Sequence, residues 1–131
     1  MSYETIKASY DRCCANGEFF DTFYKIFLAK SPDVAAKFSN TDFKKQKPLI
    51  KASVSMMIRL GTGDSKAQDA IEKVGTTHSK SQLDIEPKLY NLWLEALVET
   101  APKHDPDWNK ELETAWKESM QNGIKIITGK Y

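Results

Sequence analysis

The sequence has few of the features that mark several protein classes. Only two of its 131 residues are cysteines, the adjacent pair Cys13 and Cys14, which cannot form a disulfide framework and lack the spacing of a zinc site. We expect them to pack inside a helix as small apolar groups. No stretch approaches the roughly 18 apolar residues of a membrane span, and the polar N-terminus lacks the apolar segment of a secretion signal. These absences predict a cytoplasmic protein without a membrane partner.

The chain also lacks a large excess of either positive or negative charge. Nineteen basic and 18 acidic residues leave a net charge of +1, and no run of five like charges occurs. A nucleic-acid-binding surface would show a basic excess, so nucleic acid is not an expected partner. The length suffices for one hydrophobic core, and we predict that residues 1–131 form a single domain.

Strictly alternating apolar and polar residues, the signal of half-buried strands, are absent, whereas apolar residues recur at spacings of three and four. This pattern predicts an all-α fold. Ser2 is the expected cap of the first helix, and Pro48 limits how early the regular part of the fourth can begin. The predicted helices cover about residues 3–15, 18–29, 31–38, 42–60, 65–77, 86–101 and 107–128.

Histidine is rare, with only His78 and His104. His78 continues the apolar stripe of Ala67, Ile71 and Val74 at helical spacing, so its imidazole should face inward. A buried histidine is often held simply by a hydrogen bond to a backbone carbonyl, and that interpretation stays open. Zinc, di-iron and cysteine-nucleophile sites need clustered ligands or a nearby base that the sequence does not show. Haem needs one axial nitrogen and an apolar pocket.

Four segments occur in an order and at spacings that are informative in combination, although each segment alone would mean little. They are FYKIFLAKSPDVAAKF, TDFKKQKPLIKAS, VGTTHSKSQLDIEPKLY and AWKESMQNG. Together they resemble the bacterial single-domain globins, which are related to flavohaemoglobin haem domains and to globin gas-sensor domains. The resemblance covers nearly the whole chain. It implies a globin fold of six to seven helices around a non-covalent haem b.

The resemblance also implies roles for individual residues. His78 matches the histidine that ligates haem iron, and its other ring nitrogen would donate to a carbonyl or hydroxyl of the preceding turn, at Val74 or Thr77. Tyr24 matches the distal tyrosine, whose buried hydroxyl could donate to bound dioxygen or, alternatively, to a backbone carbonyl. Phe38 matches the phenylalanine that packs against the porphyrin. The remaining predicted cofactor-binding residues are Leu49, Ser53 and Tyr90.

The register of the distal helix leaves its polar residue ambiguous. Gln46 shares a face with Ile50 and Ser53, while Lys45 precedes Leu49 by the family's spacing of four. We favour Gln46 as the second ligand-stabilising residue. Lys45 could instead bind iron as a sixth ligand, although a charged lysine side chain exposed to solvent is the simpler expectation. A third possibility is an apolar distal side lined by Leu49 and Ser53.

The resemblance implies reversible binding of oxygen, nitric oxide and carbon monoxide, with an oxygen-transport role and no dedicated enzymatic activity. A nitric oxide dioxygenase or weak peroxidase that depends on a separate reductase is one alternative, and a haem-based sensor acting on a partner protein is another. A helical domain without haem also remains possible. Flavohaemoglobin haem domains carry a Tyr after an Ala-Trp pair and a late Glu that polarises the proximal side. Here Met120 follows Ala115-Trp116, so strong electron donation to iron is not expected. We expect a monomer or small homo-oligomer.

Overall fold

Seven α-helices and one short 3₁₀ turn account for most of the chain in the computed structural model, which describes residues 3–131. The described residues contain no strand, which confirms the all-α prediction. Ser2, the expected cap of α1, lies outside them. The elements are α1 (Tyr3–Cys14), α2 (Phe19–Leu28), α3 (Pro32–Lys37), α4 (Phe43–Arg59), the turn Leu60–Thr62, α5 (Ser65–Thr77), α6 (Lys88–His104) and α7 (Lys110–Gly129).

Short polar side chains determine where four helices begin. The Ser31 hydroxyl accepts the Asp33 N–H at 3.1 Å, directly before Pro32 in the first turn of α3. Asp42 caps α4 and Asp64 caps α5 in the same manner. The Asn109 side chain accepts a backbone N–H in the first turn of α7. Each cap gives a partner to an N–H that the helix itself leaves unbonded.

Two prolines lie inside helices, and neither limits its helix as the sequence suggested. Pro48 does not delay α4, because the Asp42 cap already starts the helix at Phe43. Pro102 does not end α6, which continues to His104, three residues beyond the predicted end near residue 101. A proline removes a single N–H from the helical ladder, and the following Asp105 still donates its backbone N–H to Ala101 at 2.8 Å.

The helices pack in pairs that bring α5 against the C-terminal helix. α2 lies against α6, α5 against α7, and α4 contacts both α5 and α7. Gly75 permits a close approach of the two backbones, because a Cβ atom there would lie 3.1 Å from the Cα atom of Ile127 and 2.8 Å from the Cγ atom of Lys130. The end of α5 is therefore held directly against α7.

A buried polar network ties α1 to the start of the α6–α7 connection. The side chain of Asp105 is fully buried and accepts hydrogen bonds from the Ser9 hydroxyl at 2.5 Å and from the Arg12 Nε atom at 2.6 Å. The indole N–H of Trp116 donates to Ser9 at 3.0 Å. Burial by itself raises the pKa of Asp105, but these donors and the Asp107 N–H outweigh it and the pKa is lowered. The network joins three helices in one connected set of bonds.

None of the helices within residues 3–131 combines the length and hydropathy required to cross a lipid bilayer.

Candidate functional site

His78 ends α5 on the face that the apolar stripe turns inward. Ala67 and Ile71 of this stripe are fully buried, and His78 itself is half-buried. Its backbone N–H donates to the Val74 carbonyl at 2.9 Å, so the residue closes the last turn of the helix. Burial lowers the pKa of His78. The imidazole is thereby kept in the neutral form that can act as a metal ligand.

The side chain of His78 is held by Tyr90, near the start of α6. The Nδ1 atom lies 2.9 Å from the Tyr90 hydroxyl. The partner is thus neither Val74 nor Thr77, whose hydroxyl donates to the Lys73 carbonyl at 3.0 Å. Tyr90 is the partner because α6 places its buried hydroxyl within reach of Nδ1, and a buried hydroxyl is costly without a hydrogen-bond partner.

This bond leaves the second ring nitrogen available. When Nδ1 carries the proton and donates it to Tyr90, Nε2 has a free lone pair. Within residues 3–131 no protein atom forms a hydrogen bond with Nε2 of His78. The arrangement matches a metal-ligating histidine, in which a hydrogen bond at one nitrogen orients the other toward the metal.

Tyr24, the residue predicted for the distal side, lies on α2. Its side chain is 4% exposed, and its hydroxyl is the only buried side-chain polar atom of the described residues without a hydrogen-bond partner. Burial raises the pKa of Tyr24 to about 12, and the nearby Gln46 side chain lowers it by a smaller amount. Gln46 therefore lies close to the hydroxyl without completing a hydrogen bond. A buried donor of this kind is costly unless something beyond the described residues accepts a hydrogen bond from it.

Aromatic rings enclose Tyr24. The ring of Phe38 is 5.5 Å away and that of Phe43 is 5.0 Å away, both edge-on, and the two phenylalanines stack on each other at 6.0 Å. Both phenylalanines are half-buried. Phe43 was not among the residues predicted for the site, although its position directly after the Asp42 cap and five residues after Phe38 was a usable signal.

The residues predicted on α4 have unequal exposures. Gln46 and Ser53 are half-buried, whereas Lys45 is exposed and Leu49 is 63% exposed. Only Gln46 of these four approaches Tyr24 closely enough to affect its pKa. The structure thus brings Gln46 and Tyr24 together and leaves Lys45 and Leu49 toward solvent.

One stretch of α6 connects the two halves of the site. Tyr90 contacts His78, and Trp93, one turn further along, lies 6.2 Å from the ring of Phe23, the neighbour of Tyr24. Half-buried apolar side chains that pack against the core lie on α4, α5 and α6 and directly after α3, and we call this set the candidate pocket. Its members are Phe38, Phe43, Met56, Val74, Leu92 and Trp93. Apolar side chains that the core leaves partly uncovered, on helices that also carry one inward imidazole, fit a flat, apolar cofactor that needs a single histidine.

Other kinds of metal centre lack their ligands here. Within the part of the chain that the structure describes, no group of three or more His, Cys, Asp or Glu side chains could hold a metal ion. Cys13 is buried, and burial raises the pKa of its thiol to about 12, far above that of a reactive cysteine. His104 lies away from the pocket, with Nε2 at 2.9 Å from the Thr22 hydroxyl. A cofactor that brings its own equatorial ligands would need only one imidazole from the chain.

Comparisons with known proteins agree with this arrangement. The model of the globin family matches residues 21–127. A crystal structure from Pseudomonas aeruginosa PAO1, described as structurally highly homologous to a human haemoglobin, superposes with a TM-score of 0.93 at 40% sequence identity, covering 98% of this chain and 97% of that chain. Among curated proteins, none matches. The matched region contains His78, Tyr24, Tyr90 and the candidate pocket.

Proposed function

The chain belongs to the globin family, and from this premise we propose that it reversibly binds oxygen and other diatomic gases at a haem iron ligated by His78. Family membership implies haem binding; the non-covalent haem b, the gas ligands and the residue roles are our proposal. The observation that carries it is the buried hydroxyl of Tyr24, which has no hydrogen-bond acceptor among the described residues, while no protein group bonds Nε2 of His78. A haem held by Nε2 would place a gas ligand where it could accept the hydrogen bond from Tyr24.

On the proximal side, His78 would hold the iron and Tyr90 would hold His78. The 2.9 Å contact between Nδ1 and the Tyr90 hydroxyl would limit rotation of the imidazole, and in the tautomer with the proton on Nδ1 it would leave the lone pair of Nε2 for the iron. Burial, which lowers the pKa of His78, keeps the ring neutral near neutral pH. These groups orient the axial nitrogen before the cofactor arrives.

On the distal side, Tyr24 would stabilise a ligand by donating a hydrogen bond. Once haem is held by His78, its iron would offer a coordination position for oxygen, nitric oxide or carbon monoxide. The Tyr24 hydroxyl is already desolvated, so a bond to a partly negative ligand atom is not weakened by competition with water. Gln46 would orient the phenol or donate a second hydrogen bond. Phe38 and Phe43 exclude water from the same region.

Gas binding ranks ahead of the enzymatic alternatives because of the group that contacts His78. A phenol is neutral at physiological pH, and burial raises the pKa of Tyr90 further. A neutral partner gives the imidazole less negative character than a carboxylate would, and peroxidase-type chemistry benefits from that negative character. Nitric oxide dioxygenation with a separate reductase and gas sensing through a partner protein remain secondary proposals.

Visible spectroscopy of the purified protein with added hemin tests the proposal. We expect a Soret band that shifts when carbon monoxide is added to the reduced protein, and that is lost or strongly weakened in His78→Ala. His104→Ala is the matched control, because His104 bonds Thr22 and not the pocket, and it should retain the full spectrum. A protein that takes up no hemin, or a His78→Ala variant with the wild-type spectrum, would contradict the proposal.

A further inference from the structure

The nearly neutral chain carries a strongly uneven distribution of charge. Residues 34–51 contain five lysines and one aspartate, a net charge of +4, although the whole chain has only +1. Residues 79–109 contain three lysines and six acidic residues, a net charge of −3. The positive segment covers the end of α3 and the first half of α4. We call this segment the basic side; of its five lysines only Lys47 forms an ion pair among the described residues, with Asp21.

The basic side adjoins the candidate pocket. Lys37 immediately precedes Phe38, and Lys44 immediately follows Phe43, and these two rings stack on each other at 6.0 Å beside Tyr24. Lys45 lies next to Lys44 on the same exposed turn. We call Lys37, Lys44 and Lys45 the basic rim.

The basic rim is not explained by the stability of the fold. All three lysines are exposed, and none forms an ion pair among the described residues, whereas Lys47 on the same helix pairs with Asp21. Lys44 and Lys45 lie in the first turn of α4, which has no acidic residue. Cations at this end oppose the helix dipole and cost stability. Their charge is available to an external partner.

Exposed apolar surface accompanies the charge. Leu49 is 63% exposed and follows Lys45 by four residues, so both lie on one face of α4, and Pro48 beside it is also exposed. An apolar centre with a charged rim is the usual composition of a protein docking surface, and a small one is typical of transient redox encounters.

We infer that the basic rim and Leu49 form the docking surface for an acidic electron-donor protein that reduces the iron. The inference rests on the proposed function, since reversible oxygen binding requires ferrous iron and oxidised molecules must be reduced to regain it. One electron leaves the reduced flavin of the donor and converts ferric to ferrous iron; no bond forms or breaks and no proton is transferred. Carboxylates on the donor would pair with the lysines and bring its cofactor close to the pocket.

Reduction kinetics with a defined donor test the inference. The probe is reduced flavodoxin, an acidic one-electron flavoprotein, mixed with the hemin-loaded ferric protein. In Lys37→Glu/Lys44→Glu we expect reduction about tenfold slower than in wild type at about 10 mM ionic strength, where the screening length is about 30 Å. The difference in reduction rate should vanish near 1 M salt, where the screening length is about 3 Å. Lys110→Glu/Lys125→Glu, which makes the same charge change at exposed sites of α7, is the control and should stay within about twofold of wild type.

Two further measurements separate this inference from the proposed function. Photoreduced lumiflavin, a small neutral donor, should reduce the wild type and the two double variants at the same rate. Oxidised flavodoxin should shift the backbone amide resonances of residues 37–49. Wild type that binds no hemin would overturn the proposed function and this inference together. Normal hemin binding with equal flavodoxin rates in the two double variants would overturn the docking surface alone. Amide shifts at residues 79–109, together with self-association, would also overturn it, because the two charged sides would then bind copies of the chain to each other.

Discussion

The Nδ1 atom of His78 at the end of α5 lies 2.9 Å from the hydroxyl of Tyr90 in the first turn of α6. The two residues are close in sequence, but the loop between them folds back so that the Ile85 N–H donates to the His78 carbonyl at 3.0 Å. Side chain and backbone of His78 are thus both held from the far side of this loop. The orientation of the imidazole depends on α6 as much as on its own helix.

Replacing Tyr90 with Phe should therefore weaken cofactor retention without unfolding the protein. The variant keeps the buried ring but removes the partner of Nδ1, and loss of such a supporting bond typically costs about tenfold or more in metal affinity. We expect hemin transfer to excess apomyoglobin to be about tenfold faster than in wild type. Tyr10→Phe is the control, since Tyr10 donates to the Lys51 carbonyl at 2.9 Å on α4. Equal hemin transfer rates in the two variants would show that Tyr90 does not support His78.

Tyr24→Phe should have opposite effects on the empty and the loaded protein. Removing an unpartnered buried hydroxyl relieves a cost of about 1–3 kcal/mol, so the haem-free variant should be more stable to urea. The loaded variant loses a donor to the gas ligand, and oxygen should dissociate about tenfold faster or more. Tyr10→Phe removes a completed hydrogen bond and should instead be destabilised. An unchanged oxygen dissociation rate would remove Tyr24 from the ligand site.

Asp105→Asn should destabilise the fold at neutral pH by about 2–3 kcal/mol, because charge-assisted bonds from Ser9 and Arg12 are weakened. The pKa of Asp105 is lowered on folding, so its contribution is present above the unfolded pKa of about 3.9 and is lost as pH falls through the folded value. Urea titrations should show the difference from wild type at pH 7 and its disappearance in acid. Asp11→Asn, an exposed pair partner of Lys7, should change stability by less than about 0.5 kcal/mol.

Tyr131→Phe should loosen the loop that follows His78. The Tyr131 hydroxyl donates to Asp84 at 2.6 Å, and this bond is the main reason that the pKa of Tyr131 is raised to about 12. Asp84 has a φ angle of +51°, a conformation that Asn also tolerates. We expect faster amide exchange across residues 79–86 in Tyr131→Phe and little change in Asp84→Asn, which keeps an acceptor. The effect should be present below pH 10 and fade as the wild-type tyrosine ionises toward pH 12. Unchanged exchange in Tyr131→Phe would mean that the bond does not restrain the loop.

The helices were predictable because their signals are local. Apolar spacing and short capping side chains lie within a few residues of the elements they define, and for α4 these local signals held despite Pro48. The end of α6 was predicted too early because Pro102 removes only one helical hydrogen bond, while the Asp105 network that holds the helix end joins residues 96 positions apart. Such a contact leaves no local pattern.

The sequence by itself determined the succession of helices, the inward stripe that ends in His78 and the family to which the chain belongs, since each follows from the order and spacing of residues along the chain. The tertiary structure decided that Tyr90 holds His78, that the Tyr24 hydroxyl lacks a partner, that Gln46 approaches Tyr24 while Lys45 and Leu49 remain exposed, and that Phe43 joins the site. These features depend on how separate helices cross, and the crossing is set by packing across the whole core.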